Sequence, residues 1–178
     1  MTQDEIIDSI KNISALYKVD ESLCLAIAKI ESEYNEFATR YERDWRYIKD
    51  PQLCVDQMHI KGYFITLETE IELQKMSHGV FQLMGSVIRE LKFWDPLFKV
   101  YQDPKIGIVL GVKKIKMLMD KYLDEYDAIS AFNAGSPRKI VQNGKLQYSN
   151  QKYVDKVSMY MELLRAKKET KNETINPS

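Results

Sequence analysis

Apolar residues along this chain recur with a period near 3.6 far more often than they alternate. From Leu23 they fall at Ala26, Ile27, Ile30 and Tyr34, the i, i+3, i+4, i+7 spacing of a helix with one buried face. Asp20 stands before this run as a candidate N-cap, with Val19 and Cys24 placed as a hydrophobic staple. Upstream, Thr2 and Glu5 form a capping-box pattern for a helix through Ile6, Ile7, Ile10, Ile13 and Leu16. Asp103 and Pro104 open a long helix that buries Ile106, Val109, Leu110, Ile115, Leu118 and Tyr122. "DEYDAISAFNAG" reads as a short helix closed by Gly135. A loop with a turn at Asn143-Gly144 follows. Asn150 then caps a last helix through Tyr153, Val154, Val157, Met161 and Leu164.

The pattern is weakest in two places. Residues 40–66 are aromatic and irregular, broken by Pro51 and Gly62, and predict short helical turns or loops. After a break at Gly79, residues 81–91 predict a helix. Strand signals are weak throughout, so the expectation is a mainly α single domain over 1–168, with a polar, disordered tail over 169–178.

Composition narrows the chemistry. Lys+Arg and Asp+Glu both number 26 in 178 residues, so no overall charge points to nucleic acid or membrane. The charge is unevenly spread. Residues 1–50 carry 7 basic and 11 acidic side chains, and residues 131–168 carry 8 basic and 2 acidic. That basic third suits either a solvated helix face or contact with an anionic polymer. Cys24 and Cys54 have neither metal spacing nor a disulfide framework, and Cys24 reads as a buried free thiol. His59 and His78 stand alone, so no metal and no cofactor is expected. No apolar run reaches membrane length and the N-terminus lacks signal-peptide character, so the expectation is a soluble monomer made in the cytoplasm.

Glu31 is the residue whose placement asks for an explanation. It falls roughly 80° from the centre of the Leu23–Tyr34 stripe, at the margin of burial. Two readings stay open there: a solvated helix-end carboxylate, or a half-dried carboxyl whose raised pKa suits a general acid.

Four stretches in order bear on that choice: "IESEYN" (30–35), "SHGVFQLM" (77–84), "ISAFNAGS" (129–136) and "YVDKV" (153–157). Together they resemble the successive motifs of lytic transglycosylases of glycoside hydrolase family 23, which have the goose-type, lysozyme-like SLT fold. The resemblance covers roughly residues 15–165, and "ATRYE" and "GSPRK…NQKYVDKV" are similar to phage and prophage members. It implies one domain with a glycan-binding cleft, acting on peptidoglycan strands. It also implies Glu31 as catalytic acid and base, and Ser77, Gly79, Gln82, Met84, Asn133 and Tyr153 as residues of the glycan site. The implied reaction cleaves the β-1,4 bond between N-acetylmuramic acid and N-acetylglucosamine, leaving a 1,6-anhydromuramyl end. Delivery to the cell wall would be by a phage particle or through another protein's pore, with a virion or export machinery as partner.

Three positions depart from the family pattern. Val80-Phe81 replaces Leu-Met, His78 brings a titratable ring beside the motif, and Phe132 replaces a tyrosine whose hydroxyl commonly approaches the catalytic carboxyl. Tyr153 is a candidate substitute. Two alternatives stay open. One is a true lysozyme using water and a second carboxylate, with Glu42, Asp44, Glu68 and Glu70 as candidates. The other is a non-catalytic glycan-binding virion component.

Overall fold

Thr2 and Glu5 close the expected capping box, each side chain accepting the other's backbone N–H, and start α1 (Gln3–Tyr17). Asp20 caps α2 (Glu21–Ser32) by accepting the Ser22 N–H at 2.8 Å. The chain continues through β1 (Thr39–Tyr41), α3 (Pro51–Ile60), α4 (Leu67–Gln74), β2 (Met76–His78), β3 (Leu83–Met84) and α5 (Gly85–Glu90). It ends with α6 (Lys99–Gln102), α7 (Pro104–Lys121), α8 (Glu125–Ala134), β4 (Lys139–Gln142), β5 (Lys145–Tyr148) and α9 (Gln151–Ile175). This computed structural model describes the backbone of residues 1–175 and the side chains of residues 1–170. The fold is mainly helical, as the periodicity predicts.

α2 is the central element. Every residue from Ser22 to Ala28 is buried, so the expected stripe widens to the whole circumference. No charged residue interrupts that run, and its small members Cys24, Ala26 and Ala28 let α1 and α9 pack closely against it. Burying Leu23, Leu25 and Ile27 contributes about 1.5–3 kcal/mol each. Cys24 and Cys54 are buried free thiols, and burial pushes the Cys24 thiol up to about 12. In α1, Leu16 is exposed and falls off the buried face formed by Ile6 and Ile10.

Three segments differ from the sequence reading. Only 85–90 of the helix expected over 81–91 is helical. Phe81 and Gln82 belong to a turn between β2 and β3, and β1, β2 and β3 form a small antiparallel sheet. Strands of two or three residues are too short for alternation to register in sequence. The expected loop over 136–150 is a hairpin whose turn residues Asn143 and Gly144 both have positive φ (52° and 73°), as the Asn-Gly signal requires. Residues 51–60, read as loop or short turns, form the ten-residue α3 with Pro51 at its first turn.

α9 also continues through Ile175, into the segment expected to be a disordered tail, because Lys and Glu favour helix there and Pro177 comes late. The last three residues of that expected tail lie outside the described residues. Part of the charge asymmetry along the sequence cancels within the fold. Arg165 of α9 pairs with Asp20 and Glu125, and Lys168 with Glu21.

Candidate active site

α2 stops where Glu33 and Tyr34 both turn to positive φ, with the Glu33 N–H closing on the Lys29 carbonyl at 3.0 Å. Ser32 then fastens the helix end, donating to the Val80 carbonyl at 2.7 Å in the β2–β3 turn. Glu31 is thereby held, partly buried, on a cleft of about 480 Å³ between the end of α2, the small sheet, α5 and the C-terminal end of α8. Of the residues singled out in the sequence, Glu31, Ser77, Gln82, Met84 and Asn133 line this cleft together.

Tyr153 approaches Glu31 from α9, across 122 residues of sequence, and donates its hydroxyl to Glu31 Oε1 at 2.7 Å. Burial pushes the Glu31 carboxyl above its ordinary range, while the Tyr153 bond and the Arg40 charge pull it part of the way back. Burial and the neighbouring carboxylate hold the Tyr153 phenol well above its ordinary value, so it remains an O–H donor. With Oε1 accepting from Tyr153, the acid proton belongs on Oε2, which has no partner among the described residues.

Gly79 and His78 are placed differently from expectation. Gly79 is buried in the turn and does not line the cleft. Its φ of 68° and a Cβ position 3.1 Å from Val100 explain the glycine, rather than close approach of a sugar. His78 points to the opposite sheet face from Ser77, as alternation along a strand demands. It is buried, donates from Nε2 to the Leu73 carbonyl at 3.0 Å, and accepts the Tyr101 hydroxyl at Nδ1 at 2.8 Å. Burial lowers its pKa, so it is a neutral structural group and not a titrating one in the cleft.

Gln82 is less free than its motif implies. Its amide donates to the carbonyls of Ala38 (2.8 Å) and Gly79 (2.9 Å) and accepts the Ser77 hydroxyl at 2.8 Å. It braces the turn under the cleft floor. Gln82→Ala is therefore expected to lower stability by about 1–3 kcal/mol, read as a lower midpoint in urea, in addition to any effect on substrate.

Sequence reasoning singled out Glu42 on the wall opposite but not its neighbours. Arg40, Trp45 and Lys114 line the cleft, as does Glu42. Residues 42–50 have no regular structure yet are pinned along their length. The Glu42 N–H donates to the Lys75 carbonyl (2.9 Å), Trp45 Nε1 to Ser86 Oγ (2.9 Å) and the Tyr47 hydroxyl to Glu90 Oε1 (2.5 Å). Lys49 pairs both its N–H and carbonyl with the Gln74 amide. The available signal was a tryptophan and a tyrosine two residues apart in a charged loop.

The carboxylate inventory separates the four candidates for a second acid. Only Glu42 lines the cleft, and it is paired with Arg40 at 2.5 Å. Glu70 is fully buried against Arg89, and Asp44 and Glu68 are exposed away from the cleft lining. Among the described residues, no three His, Cys, Asp or Glu side chains cluster as metal ligands do, and no helix is long and apolar enough to cross a membrane.

Residues 8–155 match the family model described as Transglycosylase SLT domain. The chain belongs to that family. The matched span takes in Glu31, the β2–β3 turn, α8 and Tyr153 at its far end. Comparison with curated proteins and with solved structures finds no match.

Within this SLT domain the two aromatic departures belong together. Phe132 lines the cleft and meets Phe81 edge-on, with ring centroids 6.5 Å apart. Phe81 in turn lies on α7 at Gly111, where a Cβ would stand 2.2 Å from its ring. The Phe81 ring fits there because the facing helix supplies a glycine. Phe132 brings no hydroxyl to Glu31, whereas Tyr153 does.

Proposed function

We propose that this SLT domain is a peptidoglycan lytic transglycosylase of glycoside hydrolase family 23, with Glu31 as its single catalytic acid and base. The observation that carries the reading is one half-dried carboxyl on a cleft, hydrogen-bonded to Tyr153 through one oxygen and open at the other. Glu31 Oε2–H gives its proton to the glycosidic oxygen as the bond to the muramyl C1 breaks, and the leaving N-acetylglucosamine departs with a free hydroxyl. The cation at C1 is stabilised by the neighbouring acetamido group. The Glu31 carboxylate then takes the proton of the muramyl C6 hydroxyl as O6 bonds to C1. The 1,6-anhydro ring closes and the acid is restored. An intramolecular nucleophile dispenses with a second carboxylate.

Tyr153 supports both half-reactions. It directs the proton to the open oxygen and steadies the carboxylate after transfer. Tyr153→Phe is expected to raise the Glu31 pKa further, moving the alkaline limb of the kcat/KM profile to higher pH. It should also reduce kcat about 10- to 100-fold through looser positioning. A pH–rate profile checks both.

The deciding experiment is mass spectrometry of muropeptides from purified peptidoglycan digested by wild type and by Glu31→Gln. Products one water lighter than reducing-end muropeptides, absent with the variant, are expected. Reducing ends from wild type would make the enzyme a lysozyme, with Glu42 as the second carboxylate to test. No product at all would favour a binding module.

A further inference from the structure

A second depression begins where the catalytic cleft ends. It is a groove of about 610 Å³ between the β4–β5 hairpin and the first turn of α9, lined by Gln142, Asn143, Gln147, Asn150, Gln151 and Tyr153. Two hydrogen bonds straddle the boundary, each with one partner on either side. Asn150 Nδ2 of the groove donates to Asn133 Oδ1 of the cleft at 3.0 Å, and Tyr153 donates to Glu31. Glu31 thus lies beside the boundary, one hydrogen bond from Tyr153 of the second groove. A polymer cut in its middle needs room on both sides of the scissile bond.

The lining states the chemistry of the occupant. Five carboxamides stand beside one lysine and one aspartate, Lys152 and Asp155. Such a surface has no net charge to attract an anionic polymer and no aliphatic side chain to hold a lipid or a helix. A free carboxamide offers a donor and an acceptor, which suits the hydroxyl and acetamido groups of N-acetylated sugars, although Asn150 and Gln151 spend theirs on Ser130, Asn133, Asp155 and the Tyr148 N–H. Several of these functions are uncommitted. Asn143 has no side-chain partner among the described residues. Gln147 donates to the Gln142 oxygen, which leaves the Gln142 N–H groups and the Gln147 oxygen without a side-chain partner among the described residues.

The arm carrying them is anchored. At its base the Tyr148 hydroxyl donates to Asp127 at 2.5 Å, Lys139 pairs with the same carboxylate at 2.9 Å, and the Ser149 N–H meets the Arg138 carbonyl at 2.8 Å. At its tip the left-handed Asn143 and Gly144 set the direction of the turn.

We propose that the β4–β5 hairpin is the second arm of the substrate site. It holds the N-acetylated sugars immediately beyond the scissile bond through Gln142, Asn143 and Gln147. This rests on the glycan-cleaving reading of Glu31.

The test is calorimetric titration of peptide-free glycan hexasaccharide into E31Q, which binds without turnover, and into E31Q carrying Q142A, N143G and Q147A. Glycine at 143 keeps the left-handed turn. V141S/L146S in the same background is the control, because Val141 and Leu146 are exposed and outside the groove lining. The hairpin triple substitution is expected to weaken binding about tenfold or more with the melting temperature unchanged, and the control to bind as E31Q does. Equal affinity in the triple variant, or an equal loss in the control, overturns the proposal. Wild type that binds through the hairpin amides but cleaves nothing would sink the catalytic reading and leave the groove standing. Absence of any glycan binding by E31Q would overturn both.

Discussion

Glu31→Gln is expected to lower the rate of glycan cleavage about 10²- to 10⁴-fold while leaving KM nearly unchanged. The substitution is isosteric and keeps an oxygen to accept the Tyr153 hydroxyl, so the cleft retains its shape. In the proposed mechanism, what disappears is the transferable proton on the open oxygen and the carboxylate that later removes the C6 proton. Both steps lose the same group. Stability is expected to move the other way. Burial raises the folded-state pKa of Glu31, so the folded protein holds that proton more tightly than the unfolded chain. Wild-type stability is therefore complete below the ordinary carboxyl range and declines as pH rises through the raised value. Glutamine carries no such penalty. The variant should melt above wild type at about pH 7 and alongside it at about pH 4. Initial rates on peptidoglycan suspensions, with melting curves at the two pH values, check both halves. A kcat within threefold of wild type would remove Glu31 from the chemistry.

Arg89→Met is expected to destabilise the fold by about 3–5 kcal/mol, the cost of leaving a buried carboxylate without its partner. Both side chains are fully buried. Arg89 grips Glu70 with two bonds, at 2.7 and 2.8 Å, and also donates to the carbonyls of Phe93 and Asp95. Removing it strands an ion and two backbone acceptors at once. Glu70→Leu together with Arg89→Met should recover part of the loss, because an apolar pair replaces the orphaned charge. Urea unfolding of the single and double variants measures the coupling. The effect reaches the cleft through Gln74, which donates to Glu70 and pairs with the backbone of Lys49 in the wall that carries Trp45. Loosening that wall is expected to raise KM in the single variant under conditions where it remains folded. A cost below about 1 kcal/mol would mean that the pair does not hold α4 to α5.

The contrast between Glu31 and Glu70 shows where reading the sequence succeeds and where it stops. Local signals determined the helices. The Thr2–Glu5 box, Asp20, Asp103-Pro104 and Gly135 act within one turn of the residues they cap, so their effect is written in adjacent positions. The margin position of Glu31 and the order of the four motifs were legible for the same reason. The roles of Gly79, Gln82 and His78 were not. A motif records which residue types occur together but not which face of a three-residue strand His78 takes, nor which way Gly79 and Gln82 point in the turn after it. Asn150 was legible as a cap, yet its side chain bonds Ser130 and Asn133 and leaves capping to its backbone carbonyl.

Everything that depends on distant parts of the chain meeting was decided by the tertiary structure. Tyr153 reaches Glu31 across 122 residues, Arg89 neutralises Glu70, and Gly111 makes room for Phe81. The loop over 42–50 becomes a wall only because Ser86, Glu90 and Gln74 hold it. The sequence determined a helical transglycosylase scaffold with an acid at the edge of its core, since caps and periodicity act locally. Burial and pairing at that acid came from packing, because desolvation and hydrogen bonding depend on which side chains become neighbours.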